Sequence, residues 1–460
     1  MTVYSIIQKS QLEGAKRLDA EYYQPEYLEI VQEIESVPHT SLDSYAEKVF
    51  SGPFGSTLKS ESYQDTGVPF IRISDISDLF IEKHGVVFIS PSEHKRIYST
   101  HLGVGDIVLS KIGTVGRLSV ISEELGEVNI SENNIGIRLS KLPVEKKIAL
   151  LFLLLSKYGQ KQLLRKASGN IQLKLNVSDV ESIQVPVFDE AMLQTLKNLY
   201  TDFLSKRNEG DSLYSQAEKV LLEELGLTDF ESDGELWNVV NLSDVKAAGR
   251  IDAEYFQPKY ERIVERIKSQ KHATVDDVSA FVGHATQSPY DERGSIAVLA
   301  QKHMKRDLHI EVDGFDNFTT DDLIKKNDKK YILKKGDILI SSAGEPGLTS
   351  VWTGELGQKV IPGSFVTVAR LKEDINPLYL GVFLNTPAGK LQFERDYTGS
   401  VQQYVYPSKI AKIFVPILPE KTQQKIAELV RESHVARAKA RELLESAKRK
   451  VEELIESKQK

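Results

Sequence analysis

Apolar positions along the chain follow two rhythms, helical spacing and short dense runs, in an order that occurs twice. Pro25 stands where a first helical turn tolerates proline, and the LEIVQEIES that follows has helical spacing. Next come short apolar runs, VPFIRISDI, GVVFIS and GDIVLSKI, broken by Gly, Pro, Ser and Asp, which predict strands and turns. An amphipathic helix is predicted over about 148–166, a short strand ends in Pro186, and a long helix covers about 189–226. The same succession returns with Pro258 and ERIVERIKS, then GDILISSAG, a helix over about 377–395, a strand ending in Pro416 and a long helix over about 420–460.

The letters repeat as well as the rhythm. RLDAEYYQPEY from Arg17 returns as RIDAEYFQPKY from Arg250, and GDIVLSKIGTVGRLSVI from Gly105 as GDILISSAGEPGLTSVW from Gly336. SGNIQLKLNVSDVESIQVPVF from Ser168 returns as TGSVQQYVYPSKIAKIFVPIL from Thr398. The chain is therefore two copies of one unit, each about half its length. KIGTVG and SAGEPG predict tight turns between strands, with glycine supplying positive φ.

The closing helices predict partners for each other. In the second, Ile426, Leu429, Ser433, Ala436, Ala440, Leu443, Ala447 and Leu454 form an alanine-rich 3-4 seam. In the first, Leu193, Leu196, Tyr200, Phe203, Tyr214, Ala217 and Leu221 do the same, with Arg207 and Gly210 predicting a kink or weak turn. A helix of about 37 residues is roughly 55 Å long. Two seams of matching length predict a paired spacer.

Composition narrows the class. The 460 residues, 40% hydrophobic and 27% charged, fit two or three folded domains and exclude a largely disordered chain. Lys plus Arg at 59 against Asp plus Glu at 66 leaves a net charge of −7, no advertisement for nucleic acid. Absence of cysteine excludes disulfides, zinc-thiolate sites, iron–sulfur clusters and thiol nucleophiles. The start MTVYSIIQKS has no signal-peptide pattern, and the longest apolar run, 148–155, is far short of the roughly 20 residues that span a membrane. A soluble, cytoplasmic protein is expected.

Catalytic patterns are missing. SKIGTVGR lacks the Lys-Ser or Lys-Thr that ends a phosphate-cradling loop. No HExxH, GxSxG or NPPY-like tetrapeptide occurs, and the histidines are scattered, so no metal site is expected. Asp313, Asp316, Asp321 and Asp322 lack the spacing and final Glu of a calcium loop.

The duplicated RxDAEY[YF]QP opening, the SGPFGS turn at 51–56, the GD[IV][LV][IL]S…G..G stretch, the [ST]G…Q…VP strand and the helix from QQKIAEL together resemble the specificity subunit of a type I restriction-modification system. The resemblance covers essentially the whole chain. It implies an α+β (mixed α/β) fold. Two similar globular target-recognition domains would be separated by two long antiparallel helices forming a coiled-coil spacer, with an internal pseudo-twofold repeat. The expected boundaries are 1–187 for the N-terminal segment and first recognition domain, 188–230 for the first spacer helix, 231–418 for the second opening and recognition domain, and 419–460 for the second spacer helix. The resemblance also implies a non-catalytic subunit on double-stranded DNA, each domain reading half of a split asymmetric site. Two DNA adenine methyltransferase (modification) subunits would dock on it, with restriction-translocation subunits in the full complex. S-adenosylmethionine, ATP and magnesium are expected only on those partners. Two alternatives stay open: a modification-only system, and a repeated protein-interaction scaffold.

Candidate DNA-reading residues under that resemblance lie in turns with polar or basic tips. In the first domain they are Ser51, Phe54, Ser56, Thr57, Lys59, Arg72, Lys111, Thr114, Asn133, Asn134, Asn170, Gln172 and Lys174. In the second they are Thr286, Gln287, Ser288, Tyr290, Gln301, Lys302, His303, Ser341, Ser342, Gln402, Gln403 and Tyr404. Asn and Gln pair bidentately with adenine, and Arg or Lys with guanine. Basic clusters around Lys157, Lys161, Arg165, Lys166 and Lys174, around Lys302, Lys305 and Arg306, and over 325–335 are either solvated surface or phosphate contacts.

Overall fold

The computed structural model describes residues 4–10, 12, 17–53, 58–76, 79–83, 85–169, 172–228, 237–354, 357–399 and 401–457. It is mixed α and β and divides into two units. One comprises residues 1–205 with 439–460, the other residues 206–438.

The first unit opens with α1 (Pro25–Glu35), which has Pro25 in its first turn, and β1 (His39–Ser41). Strands β2 (Lys48–Ser51), β3 (Val68–Ile71) and β4 (Val87–Ile89), helix α2 (Pro91–Arg96) and strand β5 (His101–Leu102) follow. Then come β6 (Ile107–Ser110), β7 (Leu118–Val120), β8 (Val128–Ile130) and β9 (Asn134–Arg138). Helices α3 (Val144–Leu155), α4 (Lys157–Lys166) and α5 (Val177–Glu181), strand β10 (Gln184–Pro186) and the start of α6 (Glu190–Leu225) follow, and residues 439–460, the end of the last helix, complete it. One antiparallel sheet has the order β2-β9-β6-β7, and a second the order β4-β3-β8-β5 with β3 and β8 parallel. The apolar face of α3 and the inward residues of β6 and β9 share one core with Leu193, Leu196 and Phe203 of α6.

The second unit rebuilds this plan. It contains α7 (Leu242–Ala248), α8 (Pro258–Lys268), β11 (His272–Thr274), α9 (Val275–Val278), β12 (Ser279–Gly283), β13 (Ile296–Leu299) and β14 (Phe318–Thr319). Strands β15 (Ile338–Ser341), β16 (Thr349–Val351), β17 (Val360–Pro362) and β18 (Val366–Leu371) precede α10 (Pro377–Asn385), α11 (Pro387–Arg395), α12 (Pro407–Ile410), β19 (Phe414–Pro416) and α13 (Glu420–Glu456). Its sheets run β12-β18-β15-β16 and β14-β13-β17, and β13 with β17 is again a parallel pair. The two repeats share this scaffold, except that among the described residues the second has no counterpart of the β5 that pairs with β8.

Each helix expected over 148–166 and 377–395 is in fact a pair. Ser156 is extended (φ −71°, ψ 165°), and its side chain accepts the Gly159 N–H. A Cβ at Gly159 would stand 2.2 Å from the Leu153 carbonyl oxygen, so only glycine lets α4 turn back so closely on α3. Thr386 has the same extended backbone, and Pro387 starts α11 where its missing N–H costs nothing.

α6 continues through Gly210 without a break. In the second unit α6 and α13 pack antiparallel. Gly210 meets Ser433, while Leu221 and Leu225 share a core with Ile426 and Val430. In the first unit Leu193 and Leu196 share a core with Val451 and Ile455. Ala436, Ala440 and Ala447 are buried as the seam predicts. Helix dimers with such small residues approach closely, and Gly210 is where that approach is needed. Among the described residues no helix is long and apolar enough to cross a membrane.

Candidate nucleic-acid interface

The duplicated opening is a clamp on the segment that follows the second helix of each pair. Arg17 forms an ion pair with Asp19 and donates to the carbonyls of Lys166 (2.8 Å) and Ala167 (3.1 Å) at the end of α4. Arg165 lies 4.0 Å over the ring of Tyr22. Arg250 repeats this with Asp252, donating to the carbonyls of Arg395 (3.5 Å) and Tyr397 (3.2 Å), and Arg395 lies over Tyr255. The Arg17 hydrogen bond holds the Asp19 carboxyl below the usual carboxylate range, and Arg250 does the same for Asp252. The segments so fixed lead directly into the polar loops 168–175 and 398–405.

In the first unit three turns meet at β6. Lys111 donates its backbone N–H to the Asn133 carbonyl (2.9 Å) and accepts at its own carbonyl from Leu175 (2.9 Å). Its ammonium reaches the Ser51 hydroxyl at 2.8 Å, and that hydroxyl donates to the Glu132 carbonyl. Lys174 pairs backbone to backbone with Ser168 across the loop. Burial, followed by the charge of nearby Lys174, pushes the Lys111 ammonium below the ordinary lysine range. Glycine makes the turns possible: Gly113 and Gly116 have φ of +77° and +90°. Ser51, Lys111, Thr114, Asn133, Gln172 and Lys174 are thus drawn together, with Thr114, Gln172 and Lys174 exposed.

The second unit makes the same junction with other side chains. Ser342 donates its N–H to the Phe365 carbonyl (2.8 Å) and accepts from Val405 (3.0 Å), while Tyr404 pairs with Thr398. Ser342 therefore stands where Lys111 stands, Phe365 where Asn133 stands, and Tyr404 where Lys174 stands. Phe365 is 57% exposed and meets the Tyr404 ring edge-on at 6.4 Å; Tyr404 meets Tyr406, 53% exposed, at 4.8 Å. Burial raises the Tyr404 hydroxyl above the ordinary tyrosine range, partly offset by its hydrogen bond with Ser342. Gln287 reaches this junction by accepting the Ser364 N–H, and Gln301 lies against Gly344. Gln402 and Gln403 are exposed on the loop.

Most of the other candidate side chains are buried or bonded within the fold. Phe54, Ser56, Thr57 and Asn170 lie outside the described residues. Asn134, Ser288, His303, Ser341 and Ser342 are buried. Asn134 donates to the Ile71 carbonyl (2.8 Å), Ser341 to that of Ala343 (2.7 Å), and Ser342 bonds Thr367 (2.9 Å). His303 Nδ1 accepts the Ala300 N–H, which leaves the proton on Nε2 toward the Gly314 carbonyl; burial keeps the ring neutral by lowering its pKa. Thr286 donates its hydroxyl to buried Asp328. Arg72 spends its charge on Asp75 and the Gly85 carbonyl, and Lys302 on Asp316. Lys59 and Tyr290 are exposed.

Acids match part of the basic clusters. Lys157 pairs with Glu456, Lys161 with Glu26, Lys305 with Glu311, Arg306 with Glu345 and Lys329 with Asp321. Phe365 and Tyr406 had no sequence signal as surface groups, because an isolated aromatic beside a strand ordinarily reads as core. Their alignment with Asn133 and Asn176, polar in the first repeat, was the available clue.

Residues 289–432 match the family model of the type I restriction modification DNA specificity domain. The matched residues lie within the second repeat. A search of the curated proteins finds no match. Among solved structures, the type I restriction-modification system S subunit from M. genitalium is 13% identical over 91% of this chain and 95% of its own, with a TM-score of 0.37. The HsdS subunit from Thermoanaerobacter tengcongensis is 13% identical over 91% and 96%, with a TM-score of 0.28. The matched stretch contains Ser341, Ser342, Phe365 and Tyr404, so the aromatic junction lies within it.

Proposed function

We propose that the chain is the DNA sequence-recognition subunit of a type I restriction-modification complex, with each repeat reading one half of a split, asymmetric site. The match of residues 289–432 to the specificity domain carries this reading. The first repeat supports it by rebuilding the same strand pairings and the same three-turn junction. In this proposal the exposed side chains of the two junctions contact base edges in the major groove. The α6–α13 pair sets the gap between half-sites, a geometric consequence of architecture familiar from dimeric DNA binders.

The subunit performs no chemistry of its own in this proposal. Two DNA adenine methyltransferase subunits dock on it, restriction-translocation subunits join the full complex, and S-adenosylmethionine, ATP and magnesium belong to those partners. The complex works in the cytoplasm. Basic clusters that are in part ion-paired and a net charge of −7 suit a reader that leaves most phosphate contacts to its partners. An adenine-methylation map of the host with and without the gene tests the proposal. Loss of one split, asymmetric methylated motif is the expected result, and an unchanged map of a host that methylates such motifs overturns it.

A further inference from the structure

We infer that Lys111, Asn133 and Lys174 in the first repeat, and Phe365 and Tyr404 in the second, are the specificity-determining residues that make the halves of the site differ. The inference rests on the proposed function and says which chemistry each half presents. Backbone hydrogen bonds make these positions equivalent in pairs, with buried Ser342 as the backbone counterpart of Lys111. The N–H of Lys111 or Ser342 goes to the carbonyl of Asn133 or Phe365, and Lys174 or Tyr404 closes the loop on Ser168 or Thr398. The supporting turns are the same glycine turns, with positive φ at Gly113 and Gly344, Gly116 and Gly347, and Gly169 and Gly399. The backbone is conserved between repeats while the side chains change character completely.

The first junction carries two ammonium groups and an amide. Those donors suit the O6 and N7 acceptors of guanine, with the amide able to pair with adenine. The second carries no charge at the equivalent positions and instead exposes Phe365 beside Tyr404 and Tyr406. An exposed aromatic surface in a major groove has the thymine methyl as its apolar counterpart. The half-site of the first repeat therefore depends on guanine at the position facing Lys174. That of the second depends on a thymine methyl facing Phe365.

The test uses the full chain co-expressed with its methyltransferase partner, with the methylated motif read by sequencing. Lys174→Ala and Phe365→Ala both remove exposed side chains, so folding is preserved. Lys174→Ala should relax a guanine in one half by about tenfold and leave the other half intact. Phe365→Ala should relax a thymine in the other half only. On duplex probes, uracil in place of that thymine should weaken binding of the wild-type complex severalfold and leave the Phe365→Ala complex indifferent. Lys174→Ala should also reduce the salt slope by about one, whereas Phe365→Ala should not. A wild-type motif that survives both substitutions unchanged, or changes in both halves at once, overturns this inference while the proposed function stands. A wild-type complex with no split motif overturns both.

Discussion

The hydroxyl of Ser433 donates a 2.7 Å hydrogen bond to the carbonyl of Gly210, joining two long helices of the second unit. A Cβ at Gly210 would stand 2.7 Å from Arg437 Cγ and 3.2 Å from the Ser433 carbonyl oxygen. Arg437 is itself held by Asp211 at 2.6 Å and Asp307 at 3.0 Å, so it has little room to yield. In an exposed helix, Gly→Ala gains about 1 kcal/mol. Here Gly210→Ala should show none of that gain, and Gly210→Leu should cost about 1–3 kcal/mol as overpacking. Urea unfolding of the three proteins measures both; a Gly210→Ala protein more stable by the full propensity difference would contradict the close approach.

Asp337 and Arg370 form a bidentate pair, 2.7 and 2.6 Å, with the Asp337 side chain 1% exposed. Asp337 also accepts the Lys334 N–H, so it fixes the turn entering β15. Asp337→Ala leaves Arg370 half-buried without its counter-charge, and should cost about 3 kcal/mol. A matched double variant, Asp337→Ala with Arg370→Met, should recover part of the loss. Thermal unfolding of the single and double variants reads the difference; no recovery would mean the loss comes from the turn alone.

The clamps should be acid-sensitive. The Asp19 carboxyl titrates below its ordinary value because Arg17 hydrogen-bonds its charged form. The folded state therefore gains from ionised Asp19 at pH values above the unfolded value of about 3.9, and that gain disappears as pH falls through the lowered folded value. Both partners are partly solvated, so the effect is modest, well under about 1 kcal/mol per clamp. Urea midpoints between pH 6 and pH 3 should fall less steeply in Arg17→Gln than in the wild type. Equal slopes would show that the ion pair contributes nothing.

Glycine at the mouth of each loop cannot be replaced. Gly169 and Gly399 have φ of +123° and +93°, and a Cβ would stand 2.3 Å from the carbonyl oxygen of Gln172 or Gln402. Gly169→Ala should disturb the loop that presents Lys174, and Gly399→Ala the loop that presents Tyr404. Under the proposed function each weakens recognition of one half-site by at least about tenfold, the scale of one lost base contact. Binding assays on duplexes altered in one half at a time separate the two. Variants indistinguishable from wild type would argue that neither loop touches DNA.

Features encoded over a few neighbouring residues were legible in the sequence. The duplication, the prolines that open α1 and α8, the positive-φ glycine turns and the long seams all depend on local geometry or on periodicity along one element. Gly210 was legible only as an anomaly, because its cause lies across the helix pair at Ser433 and Arg437. His303, Ser341 and Ser342 read as surface turn residues, yet their polar groups are satisfied inside the fold, which sequence spacing does not reveal.

The sequence by itself determined that this chain is two copies of one unit, each a strand-rich domain followed by a long helix. Only the tertiary structure decided which turns of a unit converge. Ser51, Lys111, Asn133 and Lys174 meet because strand pairing and backbone hydrogen bonds between distant segments bring them together. The same hydrogen bonds, repeated at Ser342, Phe365 and Tyr404, put aromatic rings where the first repeat has ammonium and amide groups. The physical reason is that backbone pairing is indifferent to side-chain identity, so one scaffold holds two unlike surfaces.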